Sequence, residues 1–123
     1  MIYSYENFLT SIECQYFINQ HSELFNPAND QRTFYHRKTE IVQIFDFLTQ
    51  ASKKLNGRLN FIIKNIDTEA FVNYFQIVKW PTNEFQPIHK DFAHHCYTSI
   101  IYLNEDFEGG ETVVEKKKIK PKQ

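Results

Sequence analysis

Histidine and aspartate two positions apart, in His89-Lys90-Asp91, are the residues here best suited to chemistry. In an extended chain, side chains at i and i+2 project from the same face, so an imidazole and a carboxylate can grip one ion from one side. Those are two of the three donors of the 2-His-1-carboxylate arrangement, which holds non-haem Fe(II) and leaves coordination positions open. His94 and His95 follow closely. A third ligand normally arrives from a distant strand, so these two read as residues of a substrate-side loop rather than as ligands. The bland alternative for His89 and Asp91 is a satisfied surface pair, and spacing alone does not exclude it.

The surroundings add to the pair. The stretch from Phe75 to Thr112, FQIVKWPTNEFQPIHKDFAHHCYTSIIYLNEDFEGGET, reads as strand, turn, His-x-Asp, strand and Gly-Gly turn. Its aromatic-Pro turn (Trp80-Pro81), its His-x-Asp, its Tyr102-Leu103-Asn104 and its Gly109-Gly110-Glu111-Thr112 come in that order. Together they resemble the Fe(II)/2-oxoglutarate-dependent dioxygenases, in particular the prolyl 4-hydroxylase-like branch. The resemblance covers about the last 50 residues and is loose before Phe71.

The resemblance implies a hydroxylase in which oxidative decarboxylation of 2-oxoglutarate is coupled to hydroxylation of a small-molecule or peptidyl substrate. Fe(II) would be held by His89 and Asp91, and ascorbate would keep it reduced. Three residues fall at positions associated with the keto acid. Tyr102 matches a hydroxyl that binds its far carboxylate, although a core aromatic there needs no such role. Trp80 replaces a Tyr that touches it; indole donates one N–H and accepts nothing, so Trp80 is a changed contact or, preferably, a pocket wall. Thr98 is a pocket residue or an ordinary strand threonine. Gly109 and Gly110 serve backbone geometry, with Glu111 and Thr112 at the mouth of the site. The family pattern continues to a distal His and a basic residue that pairs the keto acid. The chain ends at KIKPKQ before either, and no Arg follows Arg58. The expectation is therefore a fragment. A site completed by a partner, and a catalytically incomplete homologue that binds a peptide or small acid, are the alternatives.

Composition bounds the rest. The 123 residues give room for one domain with one core. Hydrophobic residues make up 41% and aromatic residues 16%, while 3 Gly and 4 Pro argue against low complexity. The formal net charge of -1 gives no general nucleic-acid signal, and the lysines from 116 to 122 read as a solvated strand edge. Cys14 and Cys96 are the only cysteines, with no basic leader and no membrane-length apolar run. A reducing, cytoplasmic setting follows, with Cys96 a small buried hydrophobe.

The elements that must position the site are these. Thr10 and Glu13 form a capping-box pattern with Leu9 poised to staple on Cys14, and Cys14, Phe17, Ile18 and Phe25 fall at helical spacing. A helix is expected near 10–25, a turn at 26–30, and a strand or loop at 31–37. Ile41, Ile44, Phe45, Leu48, Ala51 and Leu55 form a second helical stripe from Thr39, with Asn56-Gly57 as its stop. Leu59, Phe61 and Ile63 alternate as a strand, and 71–80, 97–103 and 112–120 read as further strands. The fold class is α+β in a single domain, 1–123: a helical support layer over 1–57 and an antiparallel sheet over 58–123. The resemblance implies more, a partial double-stranded β-helix, or jelly roll, with the metal between its sheets.

Overall fold

The computed structural model describes residues 2–29, 39–44, 47–83, 97–106, 108–114 and 117–123. They form helices and antiparallel strands, an α+β arrangement: α1 (Ser11–Leu24), a 3-10 turn (Pro27–Asn29), β1 (Glu40–Ile44), α2 (Gln50–Ile66), β2 (Phe75–Lys79), β3 (Thr112–Val114) and β4 (Lys117–Ile119). Among the described residues, β1 pairs only with β2 and β3 only with β4, so no jelly roll is seen in them.

Helix α1 starts where its sequence says it should. The Thr10 hydroxyl accepts from the Glu13 amide at 3.1 Å and the Glu13 carboxylate accepts from the Thr10 amide at 3.0 Å, closing the capping box. Leu9 and Cys14 are both buried in one cluster, as a hydrophobic staple requires. Phe17, 2% exposed, meets the Phe75 ring edge-on at 6.1 Å. Truncating Phe17 to Ala would cost about 3–5 kcal/mol.

The stretch from Thr39 departs from expectation. It forms a strand first and a helix second. In β1, Val42 and Ile44 point into the core and Gln43 points out, a period of two. The β-branched run fits a pleated surface, and it finds a partner in β2: Ile41 lies opposite Val78 and Val42 opposite Ile77. Leu48, counted in the helical stripe, is 76% exposed. The true helix start is Thr49, whose hydroxyl accepts from the Ser52 amide at 3.1 Å.

Helix α2 then runs through Gly57, across the boundary between the expected helical layer and the expected sheet, and takes in the supposed strand 59–63. Buried Ser52 and Leu55, with partly buried Ala51 and Leu59, fall on one side at helical spacing. Asn60 donates to the Asn56 carbonyl at 3.0 Å and receives the Val72 amide at 2.9 Å, folding the following chain back along the helix. Tertiary packing outweighs the local preference of Asn56-Gly57 to stop a helix.

Helix α1 packs on both strands of the first sheet. The core is built from Leu9, Cys14, Phe17, Val42, Ile44, Leu55 and Ile77, with Ile101 and Leu103 packed against it. Buried His21 bridges α1 to β1, its Nε2 lying 2.9 Å from the Glu40 carbonyl and its ring stacked on Phe25. Arg58 of α2 reaches Glu13 at 3.0 Å and the Phe8 carbonyl at 3.3 Å. No described helix is long and apolar enough to cross a membrane.

Candidate functional site

The expected ligands His89 and Asp91, together with His94, His95 and Cys96, lie outside the described residues. The elements leading to and from them are described. Strand β2 delivers Trp80, 45% exposed, into a turn whose Asn83 has φ 67°. That left-handed conformation is one Asn tolerates better than most residues, and it matches the aromatic-Pro turn expected there.

Beyond the undescribed residues the chain returns at Tyr97, whose hydroxyl donates to Asp67 Oδ2 at 3.3 Å, fastening this segment to the C-terminal cap of α2. Thr98 is exposed. Residues 97–103, expected as a strand, form no ladder among the described residues. Its last part nonetheless alternates: Ile101 and Leu103 pack against the core, and Tyr102 between them faces elsewhere.

Tyr102 turns to the Gly-Gly-Glu-Thr segment. Its hydroxyl lies 2.5 Å from Thr112 Oγ1, a part-buried contact in which either oxygen can be the donor. Thr112 is placed by Gly109 and Gly110, with φ of 80° and 72°, values that suit residues without a Cβ. After them β3 begins, pairing Thr112 with Ile119 of β4. The run 112–120, expected as one strand, thus holds two short strands that pair antiparallel, 112–114 with 117–119. Its far end is tied down as well: Gln123 donates through Nε2 to the Leu103 carbonyl at 2.6 Å and through its amide to Glu105 at 2.9 Å.

Two hydroxyls joined by one hydrogen bond keep one O–H to offer to a third group. Such a pair, close to the core, suits a carboxylate oxygen better than a cation. The sequence reading singled out Tyr102 but gave Thr112 only a place at the mouth. Their pairing had no local signal, because it depends on the chain reversing between the two residues.

The described residues hold no group of three His, Cys, Asp or Glu able to bind a metal. Burial, and secondarily the neighbouring Glu13 charge, push the Cys14 thiol above its ordinary value, so it sits in the core as a protonated apolar group and not as a nucleophile. Comparison of the chain with protein-family models, with curated proteins and with solved structures found no match.

Proposed function

We propose that this chain carries part of the site of an Fe(II)- and 2-oxoglutarate-dependent dioxygenase of the prolyl 4-hydroxylase-like kind, acting on a small-molecule or peptidyl substrate. The observation that best supports this reading is the Tyr102–Thr112 hydrogen bond. It joins two motifs, Tyr-Leu-Asn and Gly-Gly-Glu-Thr, that the resemblance alone had linked only by order. On this reading the two small sheets belong to a double-stranded β-helix.

The donor chemistry fits the group. An imidazole nitrogen and a carboxylate oxygen, two residues apart, match the borderline character of Fe(II). His89 and Asp91 would hold it, and Fe(II) when bound supplies the dioxygen chemistry for which protein side chains have no equivalent. Binding requires His89 neutral and Asp91 ionised, so metal affinity falls as pH is lowered. Tyr102 and Thr112 would orient the keto acid by its far carboxylate. Trp80 would wall the site and exclude water.

The test is succinate formation from 2-oxoglutarate, followed by NMR with and without Fe(II), in the presence of prolyl peptides and small acids. Turnover should need both additions, and His89→Ala or Asp91→Ala should reduce it to background. Undiminished turnover in either variant refutes the assignment.

Trp80 favours a second reading. It places a bulky donor where a smaller hydroxyl would touch the keto acid, as expected of a homologue that binds a peptide or small acid without oxidising it. That protein would bind 2-oxoglutarate or a related acid through Tyr102 and Thr112 and form no succinate.

A further inference from the structure

Helix α2 carries Lys53, Lys54, Arg58 and Lys64 and no Asp or Glu between positions 50 and 66, in a chain whose formal net charge is -1. Its inner side faces the core through Ser52 and Leu55. On the outer side, positions 53, 57, 61 and 64 follow one another at steps of four, four and three, which stacks Lys53, Gly57, Phe61 and Lys64 in one ridge with Lys54 beside it.

Two members of this ridge are wrong for a helix face that meets only water. Phe61 is 73% exposed. Gly57 weakens the helix, yet a Cβ built there would meet nothing within 4 Å, so internal packing does not require glycine. Next to them the chain folds back: Lys64 Nζ donates to the Ala70 carbonyl at 3.2 Å and the Val72 amide to Asn60 at 2.9 Å. Phe71, 70% exposed, therefore adds a second aromatic at the same end of the helix.

We propose that this outer face of α2 is a docking surface for an acidic segment of a partner protein. The segment's backbone or a small apolar residue would lie over Gly57 against Phe61, with carboxylates reaching Lys53 and Lys64 on either side. Those lysines stand about 16 Å apart along the helix, the span of about five residues of extended peptide. Phe61 and Phe71 would supply the apolar anchors of such a surface and the lysines the steering charge at its rim. An acidic peptide is favoured over nucleic acid because Arg58, the only guanidinium of the helix, is engaged by Glu13 at 3.0 Å and by the Phe8 carbonyl at 3.3 Å. What remains is a set of ammonium groups, of which Lys64 gives one N–H to the Ala70 carbonyl and keeps two, without the planar fork that grips phosphates. A lipid surface is disfavoured because lysines and aromatics share one face, whereas interfacial helices separate them.

The experiment titrates the chain into a fluorescein-labelled peptide with two glutamates on each side of a Leu-Ala-Leu centre and reads anisotropy. Its lysine-for-glutamate counterpart, oligothymidylate and phosphatidylserine vesicles are titrated in parallel. Saturable binding of the acidic peptide alone is expected, weakening with salt. Phe61→Ser and the double change Lys53→Glu with Lys64→Glu should each weaken it by about tenfold or more. Gly57→Gln separates docking from folding: it should raise the melting temperature while weakening the peptide. No saturable binding of the acidic peptide, equal binding by Phe61→Ser and Gly57→Gln, or binding of oligothymidylate or vesicles at least as tight each overturns the proposal.

Discussion

Tyr102 and Thr112 are joined through their hydroxyls, so each can be tested by removing one oxygen. Tyr102→Phe keeps the ring and its packing. If the pair receives a carboxylate, a hydrogen bond to a charged group is lost, worth about 1.5–3 kcal/mol, and the KM for 2-oxoglutarate should rise by about tenfold or more. Thr112→Val should act in the same direction. Unchanged keto-acid binding in both would leave the hydroxyl bond a purely structural contact. Glu13 gives a second test at this scale. Its carboxyl is held below the ordinary 4.5, first by the Thr10 amide and then by Arg58. A depressed carboxyl contributes stability that is present above its unfolded value and lost as pH falls through its folded one. Urea unfolding at a series of pH values should therefore show stability falling on acidification below about pH 4.5, with Glu13→Gln flattening that part of the curve. The arginine is 40% exposed, so the ion pair itself adds about 1 kcal/mol or less. The Thr10–Glu13 box and its Leu9 staple were legible in the sequence because the partners lie within one turn. The Tyr102–Thr112 bond was not, because it depends on a chain reversal between them.

The elements were legible where one signal spoke alone. Helix α1 has its cap, its staple and its spacing in agreement, and it runs from Ser11 to Leu24 as expected. From Thr39 onward two signals competed. Ile41, Ile44, Leu48 and Leu55 satisfy a helical period by coincidence, while the β-branched run at 41–44 asks for a strand; pairing with Phe75–Lys79 settles it. No local pattern could have revealed a partner so distant in the chain. The Leu59, Phe61, Ile63 alternation misled in the opposite way, since Phe61 points to solvent and burial follows the helical spacing of Ser52, Leu55 and Leu59. Two substitutions check this account by thermal unfolding. Thr49→Ala removes the cap of α2 and should destabilise by about 1 kcal/mol. Gly57→Ala fills an open position in a helix interior and should stabilise by about 1 kcal/mol. A glycine that truly ended the helix would show the reverse, since Ala does not adopt a left-handed cap without strain.

At the scale of the described molecule, the segments proposed to carry the site are anchored to a core made largely by other parts of the chain. Ile101 and Leu103, on either side of Tyr102, pack against the cluster that includes Phe17, Val42 and Ile77, and Tyr97 is fixed to the end of α2. What the sequence suggested about chemistry and what it suggested about the support layer thus meet at these few contacts. The pairing of β1 with β2 has a kinetic side. It joins segments separated by the whole of α2, so the chain must close a long loop before the first ladder bond forms, an entropic penalty that grows with loop length. Helix–coil relaxation takes about 0.1–1 μs, less than the about 1–10 μs of forming even a local hairpin, and a formed α2 shortens the flexible chain left to close. Helix α2 thereby acts as a pre-assembled spacer, and strengthening it should speed refolding more than it slows unfolding. Stopped-flow refolding of Gly57→Ala should accordingly move the folding arm of the chevron and leave the unfolding arm nearly in place.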